Sequence, residues 1–451
     1  MTAFASRRRR STLLAAGAAV VAIVVAGGLT VAGGVALYNS TDGASVGPLV
    51  PELVFPNTRT ALLAAVDDGG TLASLAVLVV RPDGVGGSMV PVPVSADASS
   101  GEGDERLPIA ESVALEGPEV LEREVGIALS LSFDTVEVAD VSRLAELLAP
   151  VGDVEVELPD EVTDADGAVV ADKGTATLTP AELAAVLTAR DPDVPAGEQY
   201  DAAAAVWAGV ASTVADGLAA DEPAAAAAGS VQREFDQISS GPVRSRALAR
   251  RPIEAERNPR EVDVVLLDRA ELALVFGQIT PGRVSAPNNA LSFRVVASFS
   301  AAQLGDRGWT NAEVAYRAVN QVLFLRGNVI SVDTTAAEAP RRTRLELSDA
   351  TLNTRGVREV FGDVVLDEPA ARLVGVDGIL VLGTEYLAFL DDLDVLPGET
   401  LSTSEVEGRP IDDVEPVTPG GSTASTTKAT TDITKPTDND DTAPESAATG
   451  G

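Results

Sequence analysis

The chain contains no cysteine and no histidine. Without cysteine there is no disulfide, no thiolate nucleophile and no thiolate metal site. Without histidine there is no Ser-His-Asp or Cys-His catalysis and no imidazole-bound zinc. Any chemistry falls to Asp, Glu, Lys, Arg, Ser or Tyr, with a hard, oxygen-bound cation such as Mg2+ as the fitting metal type. Aromatic residues are scarce at 4%, so the cores that a 45% apolar composition supports are built mainly from Val, Leu and Ala. Positive charge is scarce too. Against 68 Asp and Glu stand 33 Lys and Arg, for a formal net charge of -35. Such a chain repels DNA, RNA and anionic surfaces, and no nucleic-acid partner is expected.

One stretch lacks charge altogether. Ser11 to Thr41 runs 31 residues without a charged side chain, directly after Arg7-Arg8-Arg9-Arg10. About 20 apolar residues cross the hydrocarbon core as a helix, the form that satisfies its backbone polar groups internally. The four arginines resist translocation, so residues 1–10 are expected in the cytoplasm and the bulk of the chain outside. A cleaved signal peptide has an apolar core of about 7–15 residues, far shorter than this one. The stretch 11–41 therefore predicts an uncleaved signal-anchor and a single-pass protein of the cell membrane. The absence of cysteine fits an envelope compartment where folding does not rely on disulfides.

At 451 residues there is room for two or three domains. A connector runs from Thr41 to about Leu53. Leu72–Val80 (LASLAVLVV) is a continuous apolar run, suited to a strand buried on both faces, and it ends in the turn signal Arg81-Pro82-Asp83-Gly84. Gly87–Val94 reads as its hairpin partner, and Ala96–Asp104 as a loop. Gly117–Leu131 predicts a helix, Thr135–Ala139 a strand, and Asp140–Leu148 a helix capped by Asp140. Val154–Leu158 alternates as a strand. Thr179–Ala189 predicts a helix with Thr179 as N-cap, and Glu198–Leu218 a packed alanine-rich helix. Val262–Leu267 reads as a strand, Arg269–Gln278 as a helix and Thr280–Asn289 as a linker. Beyond it, Leu291–Phe299, Asn328–Val332, Thr343–Leu347 and Gly378–Leu382 read as strands, with helices over Asn311–Leu325 and Thr354–Phe361. This alternation predicts a second, small α/β domain. From Glu399 to Gly451 there is no aromatic residue, with 11 acidic and 3 basic ones among many Thr, Ser, Pro and Gly. That composition cannot bury enough apolar surface to offset chain entropy, so a disordered tail is expected.

The order of these pieces resembles the LytR-CpsA-Psr family of envelope proteins. A basic N-terminus and one anchor precede Val151-Gly152-Asp153-Val154-Glu155-Val156-Glu157-Leu158-Pro159, an acidic turn, and Thr179–Asp191. These match a "GGVxVxxP" strand, a "D…G" turn and a helix "LxGxxALxYxRxR". Val262–Gly282 looks like the last strand and helix of that domain. Leu291–Leu390 is similar to a LytR C-terminal domain, with Ile379-Leu380-Val381-Leu382-Gly383-Thr384-Glu385 against its "VVLGxD" strand. The resemblance covers about residues 55–282 and 288–392. It implies an LCP-like α/β domain with a central mixed sheet over 50–282 and a LytR C-terminal-like domain over 288–395, ahead of the tail that composition alone assigns to 399–451. It also implies transfer of glycopolymer from a polyprenyl-pyrophosphate carrier to peptidoglycan. In that chemistry arginines hold the pyrophosphate, and carboxylates hold Mg2+ and act on the acceptor hydroxyl.

The sequence departs from the family at those points. The "RxDT" of the first strand falls on Thr71-Leu72-Ala73-Ser74, without either charge. The "SxPRD" of the second falls on Pro91–Ser95, where Pro93 survives but Val94 and Ser95 replace Arg and Asp. A small shift would bring Asp97 into the acidic position. "RxR" and "DxxRxxRQ" fall on Arg190–Asp193 and Pro195–Gln199, leaving Arg190 and Asp193 as equivalents and Gln199 as a loose third. The candidate catalytic residues are thus Arg190, Asp193 and Asp97. Each charge-assisted hydrogen bond lost costs about 1.5–3 kcal/mol. The favoured expectation is a pseudoenzyme: a membrane-anchored envelope protein that binds a polyprenyl lipid, glycan or protein partner in cell-wall assembly. No cofactor is assigned to it. The alternative is an active Mg2+-dependent phosphotransferase using Arg190, Asp193 and Asp97 with Arg81 and Asp83, although an ordinary turn explains Arg81–Gly84 and a helix-end ion pair explains Arg190–Asp193. A third reading is an unrelated surface scaffold or adhesion protein.

Overall fold

The computed structural model describes residues 52–393 apart from 99–105, 216, 219–228, 288, 348–354 and 370. The expected anchor, Ser11–Thr41, and the expected disordered tail, Glu399–Gly451, lie outside the described residues. Among the described residues no helix is long and apolar enough to cross a membrane.

The strand β1 (Glu52–Leu53) leads into β2 (Arg59–Val66), β3 (Leu72–Val80) and β4 (Gly87–Val92). Helices α1 (Ile109–Glu116) and α2 (Leu121–Leu129), strand β5 (Thr135–Ala139) and helix α3 (Val141–Leu148) follow. Then come β6 (Val154–Leu158), β7 (Val162–Thr163), β8 (Val169–Ala171), β9 (Gly174–Leu178), α4 (Pro180–Thr188), α5 (Ala196–Thr213) and α6 (Val231–Ser239). The first half closes with β10 (Val243–Ser245), β11 (Arg250–Pro252), β12 (Val265–Leu267) and α7 (Arg269–Ile279). The second half holds β13 (Ser292–Val296), α8 (Ala301–Leu304), α9 (Asn311–Phe324), β14 (Asn328–Asp333), β15 (Thr343–Leu347), α10 (Arg355–Phe361), β16 (Val364–Asp367), β17 (Arg372–Leu373), β18 (Gly378–Val381) and α11 (Thr384–Asp392).

The first sheet has the order β10-β4-β3-β2-β5. Strands β2 and β3 pair antiparallel, as do β3 and β4, while β2–β5 and β4–β10 are parallel. The sheet is thus mixed, and β3, its middle strand, is buried at all nine positions. One face (Leu63, Ala76, Leu78, Met89) packs against Leu144, Leu183, Trp207 and Phe235 of α3, α4, α5 and α6. The other face (Leu62, Leu75, Val77, Val90) packs against Leu121, Val125 and Phe276 of α2 and α7. The result is a helix–sheet–helix sandwich. The second sheet, β14-β13-β18-β15-β16, is mixed as well.

Local chemistry sets the helix starts. Asp140 accepts from the Arg143 amide at 2.8 Å and caps α3. Thr179 and Glu182 cap each other's backbone at the start of α4. A side-chain cap of this kind contributes about 1 kcal/mol. The alanines of α5 let it lie close on β6, where a Cβ on Gly209 would meet the Glu155 carbonyl at 2.8 Å.

Three expectations need correction. The helix over Gly117–Leu131 is not α-helical from its start: Gly117 has φ +101 and ends α1, and a 3-10 turn over Pro118–Val120 runs directly into α2. The loop at Ala96–Asp104 is not free at its start, because Ala96 bridges Val265 and Asp97 bridges Pro108. The linker Thr280–Asn289 is pinned to the first half. The Thr58 and Thr280 hydroxyls meet at 2.6 Å, Arg283 pairs with Asp134, and Leu131 bridges Val284.

Helix α7 explains why that segment is held. Leu272, Val275 and Phe276 enter the first core, while Ala270 and Leu274 enter the second. Each large side chain so buried contributes about 1.5–3 kcal/mol. Asp268 caps α7 and also accepts from Tyr316 of α9 at 2.7 Å. Strand β1 pairs with β17, so the incoming chain is clasped by the second half. All described residues belong to one compact unit.

Candidate functional site

The carboxyl ends of β2, β4 and β5 and the start of β3 meet at one end of the first sheet. The C-terminus of α4 is tied to that end, because the Ser74 hydroxyl donates to the Leu187 carbonyl at 2.7 Å. The Thr188 hydroxyl closes the last helical turn on Ala184 at 2.9 Å, and Ala189 then turns extended. This geometry brings Arg190–Asp193 to the strand ends.

Arg190 is half-buried and makes no hydrogen bond or ion pair among the described residues. Asp193 is exposed, and its amide donates to the Asp191 carboxylate at 2.8 Å. Asp191 also accepts from the Thr163 hydroxyl at 2.7 Å. The Thr163 bond, then the Asp193 amide, hold the Asp191 carboxyl below its ordinary range. The Gln199 amide donates to the Asp191 carbonyl at 2.6 Å and the Val194 carbonyl at 3.1 Å, so it fixes the turn. The depression beside this turn is lined by Asp160, Glu161, Asp191 and Glu198 with Thr163 and Gln199, and by no cation.

Asp97 lies in a different setting. Its carboxylate pairs with Arg106 at 2.8 Å, and the two side chains are only 7% and 5% exposed. Arg106 also donates to the Arg257 carbonyl at 3.2 Å, and Arg260 donates to the Arg106 carbonyl at 3.0 Å. Val94 and Ser95 are buried, and the Ser95 hydroxyl has no hydrogen-bond partner among the described residues.

The end of β4 is covered by a group that sequence reasoning missed. Tyr200 accepts from the Leu248 amide at 2.7 Å, and its hydroxyl lies 3.4 Å from the Pro91 carbonyl. Burial pushes the Tyr200 phenol up to about 12. Arg250 stacks over the Tyr200 ring at 5.0 Å and grips both Asp201 oxygens, at 2.7 and 2.6 Å. Arg251 pairs with Asp268. Within the Arg244–Arg260 cluster, Arg246, Arg250 and Arg251 thus serve as internal partners of Glu271, Asp201 and Asp268. The basic run in the sequence gave no sign of this, since its partners come from α5 and the start of α7.

Among the described residues no group of three Asp or Glu side chains is arranged to hold a metal ion. The one carboxylate that a shift of alignment offers, Asp97, is already neutralised by Arg106. The residues at the matching positions therefore do not fit Mg2+.

No protein-family profile matches the chain, and no curated protein is similar to it. Solved structures are. Bacillus subtilis TagV is 14% identical, with 48% of this chain and 93% of that one covered and a TM-score of 0.35. The LytR-Csp2A-Psr enzyme from Actinomyces oris is 17% identical over 48% of this chain and 88% of its own, with a TM-score of 0.34. TagT with bound LIIa-WTA is 19% identical over 49% and 88%, also with a TM-score of 0.34. The structural neighbours are LytR-CpsA-Psr proteins. Identities under 20% leave each site residue to be judged on its own geometry.

Proposed function

We propose that this protein is an extracytoplasmic cell-envelope protein of LytR-CpsA-Psr type that has lost the transfer chemistry. It is held in the membrane by Ser11–Thr41 and binds a polyprenyl-linked glycopolymer, peptidoglycan or a protein partner in cell-wall assembly. The carrying observation is the acidic depression at the turn after α4. Where the resemblance asks for arginines around a pyrophosphate, four carboxylates line the surface. At about 8 Å, each pair of like unit charges costs between about 0.5 kcal/mol in water and about 2 kcal/mol at an effective dielectric of 20. Asp160 is paired with Lys173 at 2.9 Å, and Arg190 alone does not offset the other three. The close packing of both sheet faces supports a scaffold role, and the bound LIIa-WTA of TagT supports a glycopolymer as partner.

The test uses the full chain in detergent, titrated with a polyprenyl pyrophosphate with and without Mg2+. Heat and phosphate release are followed together. The expected result is no release, with or without the metal, and no change on Arg190→Ala. Release that requires Mg2+ and is abolished by Arg190→Ala would overturn this reading and restore the transferase.

A further inference from the structure

The far end of the first sheet is chemically unlike the rest of the chain. There β3 ends, β4 begins, and the chain arrives through Val54–Thr58. An open cavity of about 460 Å3 lies between that incoming segment, the β3–β4 turn, the start of β10 and the end of α7. Pro56, Pro82, Pro242 and Pro281 wall it, Arg81 and Arg244 line it, and no carboxylate does. Arg81 meets only Asp83, at 3.4 Å, with both side chains more than half exposed. Such a pair is weak and gives way to a stronger anion. Arg244 is exposed and makes no hydrogen bond or ion pair among the described residues. In a chain of net charge -35, two such arginines facing one cavity mark an anion site.

The rim is apolar. Leu53, Val54, Val85 and Val374 are 52%, 75%, 46% and 45% exposed. The Val374 amide donates to the Leu53 carbonyl at 2.9 Å, so the β1–β17 side of the rim is continuous. Exposed aliphatic side chains around cations match a bilayer surface, where phosphates lie just outside the acyl boundary. Distance agrees. Ten residues, 42–51, separate Thr41 from Glu52, a reach of at most about 35 Å.

We propose that this end is a docking face for the bilayer surface, with the phosphate of an anionic phospholipid headgroup held between Arg81 and Arg244. It rests on the anchor reading of Ser11–Thr41. The docked face would leave the acidic depression at the opposite end of the sheet turned toward the wall.

The absence of cysteine makes the test direct. Val85→Cys gives a single thiol for an environment-sensitive fluorophore, and Val169→Cys, at a site 54% exposed on β8 beside the acidic end, gives the control. The full chain is reconstituted in phosphatidylglycerol vesicles carrying a spin-labelled lipid as quencher. The expected result is quenching at position 85 and none at position 169. Each arginine near an anionic surface contributes about five-fold, so Arg81→Glu with Arg244→Glu should weaken docking by at least about 25-fold, while the paired Lys substitutions should retain it. Quenching at 85 that survives the charge reversal overturns the proposal. So does an unquenched position 85 in a chain that resists alkaline extraction, and in that case the anchor stands. A chain that alkaline washing removes from the vesicles overturns the anchor reading, and the docking face with it.

Discussion

The Asp97–Arg106 pair offers the sharpest test of how this fold uses its few cations. Both side chains are under a tenth exposed and lie 2.8 Å apart. Replacing Arg106 by Met nearly keeps the volume and removes the charge that faces the buried Asp97 carboxylate at 2.8 Å. Breaking a buried pair from one side costs about 3–5 kcal/mol. Unfolding entropy is about 2.1 cal/mol/K per residue, so a unit of about 340 residues carries about 0.7 kcal/mol/K. Arg106→Met should then lower Tm by about 4–7 °C in scanning calorimetry of the full chain. Asp97→Asn with Arg106→Met removes both charges, and it should recover part of that loss rather than add to it. A Tm within about 1 °C of the parent for Arg106→Met would refute the reasoning, because Asp97 would then be solvated and available as a site carboxylate.

Two further outcomes follow from the same geometry. Burial acts upward on the Asp268 carboxyl, but bonds from the Tyr316 hydroxyl, the Glu271 amide and Arg251 outweigh it and hold it below the ordinary carboxylate range. Its folded value lies under its unfolded one, so its contribution is complete above about pH 4 and is lost as pH falls through the folded value. Urea midpoints at about pH 6 and about pH 3 should therefore differ more in the parent than in Asp268→Asn. Tyr200→Phe strips the buried Leu248 amide of its acceptor. It should cost about 1–3 kcal/mol, read as a lower urea midpoint with an unchanged slope.

Much of the fold was legible because it is written locally. The nine apolar residues of β3, the alternation of β6 and the caps at Asp140 and Thr179 each fix their element within a few residues. Strand β2 was not legible. Its ALLAAV reads equally as a helix, and only pairing with β3 and β5 makes it a strand. Helices α1, α6 and α11 are short and rely on one buried face, so their periodicity is brief. The segment after α7 looked like a linker from its Pro, Gly and Asn content, yet its partners Thr58, Ser130 and Asp134 lie more than 140 residues earlier in the chain.

The site divides along the same line. The sequence by itself determined which chemistry is possible: no thiolate, no imidazole, a large acidic excess, and an uncharged stretch long enough to span a bilayer. Those follow from residue types, which folding does not change. Only the tertiary structure decided what the remaining charges do. It spent Arg106 on Asp97, Arg250 on Asp201 and Arg251 on Asp268, gathered four carboxylates beside Arg190, and left Arg81 and Arg244 together at the other end. A charge acts through its distance to other charges and to water, and that distance exists only once the chain is folded.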